Sequence, residues 1–237
     1  MATEHLPGGL TLELPKGCFP LSTDSMVLAH FAKARGRIAD LGAGAGTLGM
    51  LLLSSGARAV TGVELSPIAH EGALANIARN QLEEKLRSVQ GDLRNIRDLL
   101  PAGGFDGCVS NPPYFPVSGS QAGKITLARR EDCCSLEDIF AAAQWLLRTG
   151  GAFWLVHKPE RLADLLYYGR VRQLEAKRLR FVRHSPEKPV NLVLVEYKKL
   201  GTPGWTLEPE LILRNADGSP TAAWREIYEG GESCPEH

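Results

Sequence analysis

The chain has 237 residues, of which 43% are hydrophobic and 23% are charged, and its formal net charge is zero. This balance is typical of a soluble globular protein with one core, and neutrality argues against a general nucleic-acid coat protein. No apolar run approaches the ~18 residues of a membrane span, and the first residues lack a signal-peptide pattern. The five cysteines have no zinc-ligand spacing. We expect a cytoplasmic protein with no metal site and no membrane association.

Strand and helix patterns alternate over most of the chain. Buried strands are predicted at Arg37–Leu41, Ala59–Glu64, Leu86–Gln90, Phe105–Ser110 and 152–157. Helices are predicted at 47–53, Pro67–Arg79, 95–100, 135–147 and 159–170, and we expect Gly150-Gly151 to end the fourth of them. Such alternation predicts a parallel sheet with helices on both faces.

The pattern changes after residue 170. Residues 178–182 and 192–197 are predicted to form two strands with no helix between them, joined by a proline-containing turn at 185–189. This hairpin adds an antiparallel strand to the sheet. We divide the chain into an N-terminal segment (1–36), an α/β domain (37–200) and a C-terminal extension (201–237).

A glycine loop follows the first predicted strand, with Gly42, Gly44 and Gly46 two residues apart and Asp40 before them. Glycines let the backbone approach a ligand closely, and the helix N-terminus beyond favours a negative group. Glu64, at the end of the second strand, can accept hydrogen bonds from both hydroxyls of a ribose. The spacing differs from the G-x-G-x-x-G of dehydrogenases and resembles the methyltransferase form. A nucleotide enzyme and a structural loop remain alternatives.

Asp92 follows the third predicted strand, in the stretch Gln90-Gly91-Asp92. An aspartate at this place in Rossmann-like methyltransferases accepts a hydrogen bond from the adenine amino group of the cofactor, and Asp92 resembles it. The alternative is a helix cap for the segment that follows. Both interpretations can hold together.

The tetrapeptide Asn111-Pro112-Pro113-Tyr114 follows the fourth predicted strand, where a parallel sheet opens its binding crevice. An adenine amino or carboxamide nitrogen is a poor nucleophile, so catalysis consists of aiming its lone pair at the methyl group. Asn111 offers a side-chain carbonyl oxygen, Pro112 offers a backbone carbonyl oxygen, and Tyr114 offers a flat face for stacking. These features predict methylation of a planar nitrogen. The alternative is a proline turn that ends the strand.

Together these motifs resemble the Rossmann-like, S-adenosylmethionine-dependent N-methyltransferases. Within that group they resemble the bacterial tRNA1(Val) adenine-N6-methyltransferase family. The supporting stretches are 19–28 (FPLSTDSMVL), 111–115 (NPPYF), 128–131 (ARRE), 156–162 (VHKPERL) and 189–196 (PVNLVLVE).

The resemblance implies a three-layer sandwich whose seven-stranded sheet is mainly parallel with an antiparallel last strand. It also implies S-adenosylmethionine as cofactor, S-adenosylhomocysteine as product, and the N-terminal segment closing over the cofactor pocket. The implied cofactor-binding residues are Thr23, Asp24, Asp40, Gly42, Gly44, Gly46, Glu64, Leu65, Asp92, Leu93 and Asn111. The implied catalytic residues are Asn111, Pro112 and Tyr114, and the implied substrate-binding residues are Pro113, Phe115, Arg129 and Arg130.

Charge is distributed unevenly near the end of the chain. Between Lys158 and Lys199 there are eleven Lys or Arg and five acids, whereas seven acids and two Arg follow Gly201. The basic segment can steer a polyanion, or it can be a solvated helix face and strand edge.

The resemblance therefore implies transfer of a methyl group to the N6 amino group of an adenosine beside the anticodon of a tRNA. The alternatives are N5-glutamine methylation of a release factor, N-methylation of a ribosomal RNA base, a non-catalytic RNA-binding protein and a nicotinamide dehydrogenase. We expect no obligate protein partner, and a monomer or homodimer.

Overall fold

The computed structural model describes residues 2–15, 21–113 and 134–229. The strands are β1 (Ala2–His5), β2 (Thr11–Leu14), β3 (Arg37–Leu41), β4 (Ala59–Glu64), β5 (Leu86–Gln90), β6 (Phe105–Ser110), β7 (Leu147–His157), β8 (Leu174–Arg183), β9 (Val190–Lys199), β10 (Thr206–Leu207) and β11 (Leu211–Ile212). The α-helices are α1 (Thr23–Ala32), α2 (Thr47–Ser54), α3 (Pro67–Arg79), α4 (Ile96–Leu99), α5 (Leu136–Leu146), α6 (Leu162–Val171) and α7 (Ala222–Glu229). No helix in these ranges has the length and hydropathy of a membrane span.

The main sheet has the order β5-β4-β3-β6-β7-β9-β8. Strand β9 runs antiparallel to β7 and β8, and the other neighbours in this series are parallel. The predicted mainly parallel sheet with an antiparallel last strand is thus confirmed. Within the described residues the main sheet has nine strands rather than seven, because β10 and β11 each pair with two residues of β8. Strands of two residues are too short for a hydrophobic period to reveal them.

Two hydrophobic clusters form the core, one on each face of the sheet. Helices α1, α2 and α3 cover one face, and α4, α5 and α6 cover the other. Successive side chains of β3 point to opposite faces of the sheet. Ile38 accordingly belongs to the first cluster, whereas Ala39 and Leu41 belong to the second. The predicted three-layer arrangement is therefore confirmed.

The predicted end of the fourth helix near residue 147 is confirmed to within one residue, because Leu147 is its C-cap. The prediction that Gly150-Gly151 ends this helix is wrong, because both glycines lie within β7. Helix α5 ends at Leu146, and β7 begins at Leu147. The ammonium of Lys199 donates to the carbonyl oxygens of Gln144 at 2.6 Å and Leu147 at 2.7 Å, so a distant lysine satisfies carbonyl groups at the helix end.

The N-terminal hairpin of β1 and β2 lies against α3, and no sequence pattern predicted it. Asn76 accepts a hydrogen bond from the Glu13 amide and donates to the Glu13 carbonyl oxygen, at 2.8 and 2.9 Å. Asn80, one turn later, makes the same pair of bonds with Thr11, both at 2.8 Å. Residues four apart share a helix face. The side-chain amides of Asn76 and Asn80 therefore bind the β2 backbone in the way that a neighbouring strand would.

The residues predicted as a C-terminal extension continue the fold along its outer edge. After β10 and β11 pair with β8, a turn closed by Arg214 and Pro220 leads into α7. Helix α7 packs on α1, and its Ile227 joins the first hydrophobic cluster. The last described part of the chain therefore packs against its first helix.

Candidate active site

The candidate site lies at the carboxyl ends of β3, β4, β5 and β6. From β3 the chain proceeds to β4 and β5 on one side, whereas β6 lies on the other side of β3. Ligands of open parallel sheets bind at such a switch point, because the loops diverge there and leave a crevice. The glycine loop follows β3, and Asn111 follows β6.

The glycine loop adopts a backbone that only glycine tolerates well. Gly42 and Gly44 have φ angles of +80° and +57°, and an added Cβ at either residue would meet nothing within 4 Å. The amides of Gly42 and Ala43 donate to the carbonyl oxygen of Val63 at 3.0 and 3.1 Å, which holds the loop over β4. Open space in front of these two glycines fits a loop that cradles a ligand.

Glu64 holds the middle of the glycine loop. Its carboxylate accepts a hydrogen bond from the amide of Gly44 and another from the amide of Ser66, each at 2.8 Å. A carboxylate has about four acceptor positions, so two hydrogen bonds leave capacity for ribose hydroxyls. The residue predicted to bind ribose also shapes the loop, and the sequence did not reveal this second role.

Asp40 is a buried carboxyl group, with 1% of the residue exposed. Its Oδ2 atom makes no hydrogen bond within the part of the chain that the structure describes. Burial, followed by the nearby charge of Glu64, raises the pKa of Asp40 to about 7. A buried acceptor without a donor is costly, so a cationic ligand or hydrogen-bond donor would stabilise it. The buried Asp40 carboxyl group therefore fits the positively charged methionine part of S-adenosylmethionine.

Asp92 caps the short turn that follows β5. Its carboxylate accepts from the amide of Arg94 at 2.9 Å and pairs with the Arg94 guanidinium, which lowers the pKa of Asp92. The helix-cap interpretation is confirmed, whereas the contact with an adenine amino group stays a prediction. Leu65 is 42% exposed and Leu93 is buried, so Leu65 offers the more accessible apolar surface for an adenine ring.

Asn111 is oriented by the first turn of α1. Its Nδ2 donates to Ser25 Oγ at 3.0 Å and lies 3.5 Å from Ser22 Oγ. Ser22 is the N-cap of α1, so Thr23 and Asp24 occupy the turn beside Asn111. Sequence reasoning did not select the two serines as site residues, although a serine before a helical run is a cap signal.

The remaining predicted residues of the tetrapeptide are only partly described. Pro112 is buried, and Pro113 is exposed. The other predictions in this region lie outside the described residues: Tyr114, Phe115, Arg129 and Arg130.

The basic segment between Lys158 and Lys199 is largely neutralised within the protein. Among the described residues, ion pairs to acids involve seven of its eleven cations: Arg161, Arg170, Arg172, Arg178, Arg180, Arg183 and Lys198. Glu208 and Glu210, from the acidic region after Gly201, pair with the arginines of β8. This pairing favours the interpretation of the segment as a strand edge over its use as a polyanion surface.

Comparisons with known proteins agree with this geometry. The model of the family described as "Methyltransferase small domain" matches residues 22–176. A Porphyromonas gingivalis protein named tRNA1(Val) (adenine(37)-N6)-methyltransferase is 32% identical over 197 residues, which are 78% of this chain and 77% of that protein. The chain belongs to this tRNA1(Val) methyltransferase family. A Shewanella relative with the same name is 29% identical over 213 residues, which are 86% of this chain and 87% of that protein.

Solved structures agree on the fold. A predicted O-methyltransferase from Agrobacterium tumefaciens has a TM-score of 0.72 at 21% identity, covering 90% of this chain and 98% of that one. A 16S rRNA N2 G1207 methyltransferase from T. thermophilus, in complex with AdoMet and guanosine, has a TM-score of 0.59 at 23% identity, covering 84% of this chain and 50% of that one. The resemblance inferred from the motifs is thus confirmed, and the chain is a methyltransferase of the S-adenosylmethionine-dependent class.

Proposed function

We propose that this methyltransferase transfers the methyl group of S-adenosylmethionine to the N6 amino group of an adenosine beside the anticodon of a tRNA. The observation that carries the proposal is the placement of Asn111 at the end of β6, with its amide held 3.0 Å from Ser25. The relatives named for adenine(37)-N6 methylation of tRNA1(Val) support this choice of acceptor.

The cofactor would lie along the carboxyl ends of β3 and β4. When bound, S-adenosylmethionine supplies a methyl group on a positively charged sulfur. Asp40 would face the charged methionine part, and Gly42 and Gly44 would let the backbone approach it. Glu64 would use its remaining acceptor capacity for the ribose hydroxyls, while Leu65 would pack against the adenine ring.

The acceptor nitrogen needs orientation more than a base. The side-chain oxygen of Asn111 and the backbone oxygen of Pro112 would each accept one N–H of the adenine amino group. Two such bonds draw electron density onto the nitrogen and direct its lone pair toward the methyl carbon, a contribution that is positional and electrostatic. Tyr114 would stack on the adenine ring, as expected from the tetrapeptide.

The tRNA would be held by residues other than the arginines of β8. Arg178, Arg180 and Arg183 are already bound to acidic side chains of the same chain. Phosphate contacts require cations that can exchange their counterions for the nucleic acid. Arg129 and Arg130, which the family resemblance implies, stay the predicted substrate contacts.

A direct assay uses the purified protein, radiolabelled S-adenosylmethionine and tRNA1(Val) transcribed without modifications. The matched substrate replaces the adenosine beside the anticodon with guanosine. We expect label in the adenosine-containing tRNA alone, and N6-methyladenosine after digestion and mass spectrometry. Incorporation into a release-factor glutamine or a ribosomal RNA base, with none in the tRNA, would overturn the proposal in favour of those acceptors.

A further inference from the structure

We propose that Ser25 is a positioning residue which, together with Ser22, sets the orientation of the Asn111 side-chain amide. The inference rests on the proposed use of the Asn111 carbonyl oxygen as an acceptor for the substrate amino group. It extends the reaction machinery from the tetrapeptide to the first turn of α1.

Two hydroxyl groups meet the amide nitrogen on one side. Ser25 Oγ lies 3.0 Å and Ser22 Oγ lies 3.5 Å from Asn111 Nδ2. The serines also bind each other, since the Ser25 amide donates to Ser22 Oγ and the Ser22 hydroxyl donates to Ser25 Oγ, each at 3.2 Å. Both oxygens therefore stand at fixed places on the same helical turn.

The structure places the nitrogen end of the Asn111 amide toward the two serines. The single hydroxyl proton of Ser22 is directed at Ser25, so Ser22 Oγ accepts from Asn111. The Ser25 hydroxyl is the nearer acceptor for the same nitrogen. The Asn111 carbonyl oxygen is then on the opposite side of the amide group, where it can accept a substrate N–H.

Ser25 has no comparable role in forming the helix. Ser22 alone provides the N-cap, and Met26, Val27 and Leu28 after Ser25 are buried apolar residues. A serine at a helical position that is only 8% exposed stabilises a helix less than alanine does. Its hydroxyl is therefore best explained by the bond to Asn111, which lies 86 residues away in sequence.

The test compares Ser25→Ala, which removes the hydroxyl, with Ser25→Thr, which keeps it. For Ser25→Ala we expect kcat to fall about 10- to 100-fold, the cost of a misplaced reacting group, with the Kd for S-adenosylmethionine changed less than about threefold. For Ser25→Thr we expect kcat near the wild-type value. Equal losses in the two folded, cofactor-binding variants would contradict a role for the hydroxyl.

A double-mutant cycle with Asn111→Ala separates positioning from general packing. If Ser25 acts through Asn111, Ser25→Ala causes no further loss of single-turnover rate in the Asn111→Ala background. Losses that multiply would overturn the proposal, as would a kcat for Ser25→Ala within twofold of wild type. Ser25→Cys, which is close in size and a weak acceptor, replaces Ser25→Ala if the alanine variant fails to fold.

Ser135→Ala is the matched control. Ser135 caps α5 through its hydroxyl on the opposite face of the sheet, so this variant should lose stability while keeping kcat. The Ser25 comparison is made on whichever acceptor the wild-type protein methylates. If the wild type methylates another acceptor instead of tRNA, the proposed substrate is wrong. The Ser25 variants measured on that other acceptor would still test the positioning role.

Discussion

The guanidinium of Arg178 lies 4.0 Å from the ring centroid of Phe31 and donates a hydrogen bond to the Phe31 carbonyl oxygen at 2.6 Å. Phe31 is in the last turn of α1, and Arg178 is on β8. The same guanidinium pairs with Glu196 and Glu208, each at 2.8 Å. Helix α1 is therefore anchored to the sheet near its end, while the serines of its first turn contact Asn111. Because Glu208 follows β9 in the chain, its ion pair with Arg178 also attaches the C-terminal residues to this contact.

Replacing Arg178 should destabilise the whole protein. The Arg178 side chain is 21% exposed, and Arg178→Ala leaves Glu196 and Glu208 only their longer contacts, to Lys198 at 3.7 Å and to Arg180 at 3.9 Å. We expect a loss of roughly 2–4 kcal/mol in the free energy of unfolding, measured in urea. Arg170→Ala is the control, because its 69% exposed side chain forms a surface ion pair with Glu175 that should contribute about 0.5 kcal/mol or less. Similar losses in both variants would contradict an anchoring role for Arg178.

Asn76 should matter for both stability and cofactor binding. Besides the two bonds to Glu13, its Nδ2 donates to the carbonyl oxygen of Ala45 in the glycine loop at 3.0 Å. Asn76→Ala leaves one buried and two partly buried backbone groups unsatisfied, and we expect a cost of about 2–3 kcal/mol in urea unfolding. Calorimetry should also show weaker binding of S-adenosylmethionine. Asn80→Ala loses the bonds to Thr11 but leaves Ala45 untouched, so its cofactor affinity should match wild type.

Asp40 should make cofactor binding depend on pH near neutrality. Because the pKa of Asp40 is about 7, its carboxyl becomes negative as pH rises through that value and then attracts the cationic cofactor. Affinity measured by calorimetry should therefore increase several-fold between about pH 6 and 8, on either side of the pKa. In Asp40→Asn this increase should be smaller. An identical pH profile in the variant would show that another group causes the dependence.

The same group should influence stability in the opposite direction. The pKa of Asp40 is raised from 3.8 to about 7 on folding, so the folded state binds more protons than the unfolded state between those values. Stability contributed by this site then declines as pH rises from about 4 to 7 and stays low above. Asp40→Asn removes the cost, so its Tm relative to wild type should rise from pH 4 to pH 8. A constant difference across that range would contradict the raised pKa.

Glu64→Gln should weaken cofactor binding while keeping the fold. The carboxylate accepts two backbone N–H groups, from Gly44 and Ser66. An amide has one acceptor end, so its NH2 group would face one of these donors. We expect at least about a tenfold increase in the Kd for S-adenosylmethionine, the loss of one charge-assisted hydrogen bond. Glu71→Gln, at an exposed position on α3, should leave the Kd unchanged.

Asn111→Ala should separate binding from chemistry. The side chain is proposed to orient the acceptor amino group, whereas the cofactor is held mainly by β3, β4 and their loops. We therefore expect methyl transfer to fall about 100-fold or more, with cofactor affinity within a few-fold of wild type. Turnover equal to that of the wild type would show that the tetrapeptide has a purely structural role.

The sequence by itself determined the features that depend on local chemistry. Hydrophobic period, helix caps and glycine spacing predicted the alternating elements from β3 to β9, because each signal lies within a few residues of the element it defines. The motifs after β3, β4 and β6 also predicted where the candidate site lies, since the carboxyl ends of parallel strands meet at one edge. The role of Gly150-Gly151 as the end of α5 was wrong, because Lys199 satisfies carbonyl groups at that helix end from 52 and 55 residues away.

Only the tertiary structure decided the contacts between distant segments. The docking of β2 on Asn76 and Asn80, the pairing of β10 and β11 with β8, and the approach of Ser25 to Asn111 each join residues that the sequence separates by at least 28 positions. Local propensity contains no information about such pairs, because their formation depends on how the layers pack. The tetrapeptide could be recognised in the sequence, whereas the two serines that contact Asn111 were found only because the fold brings the first turn of α1 to that residue.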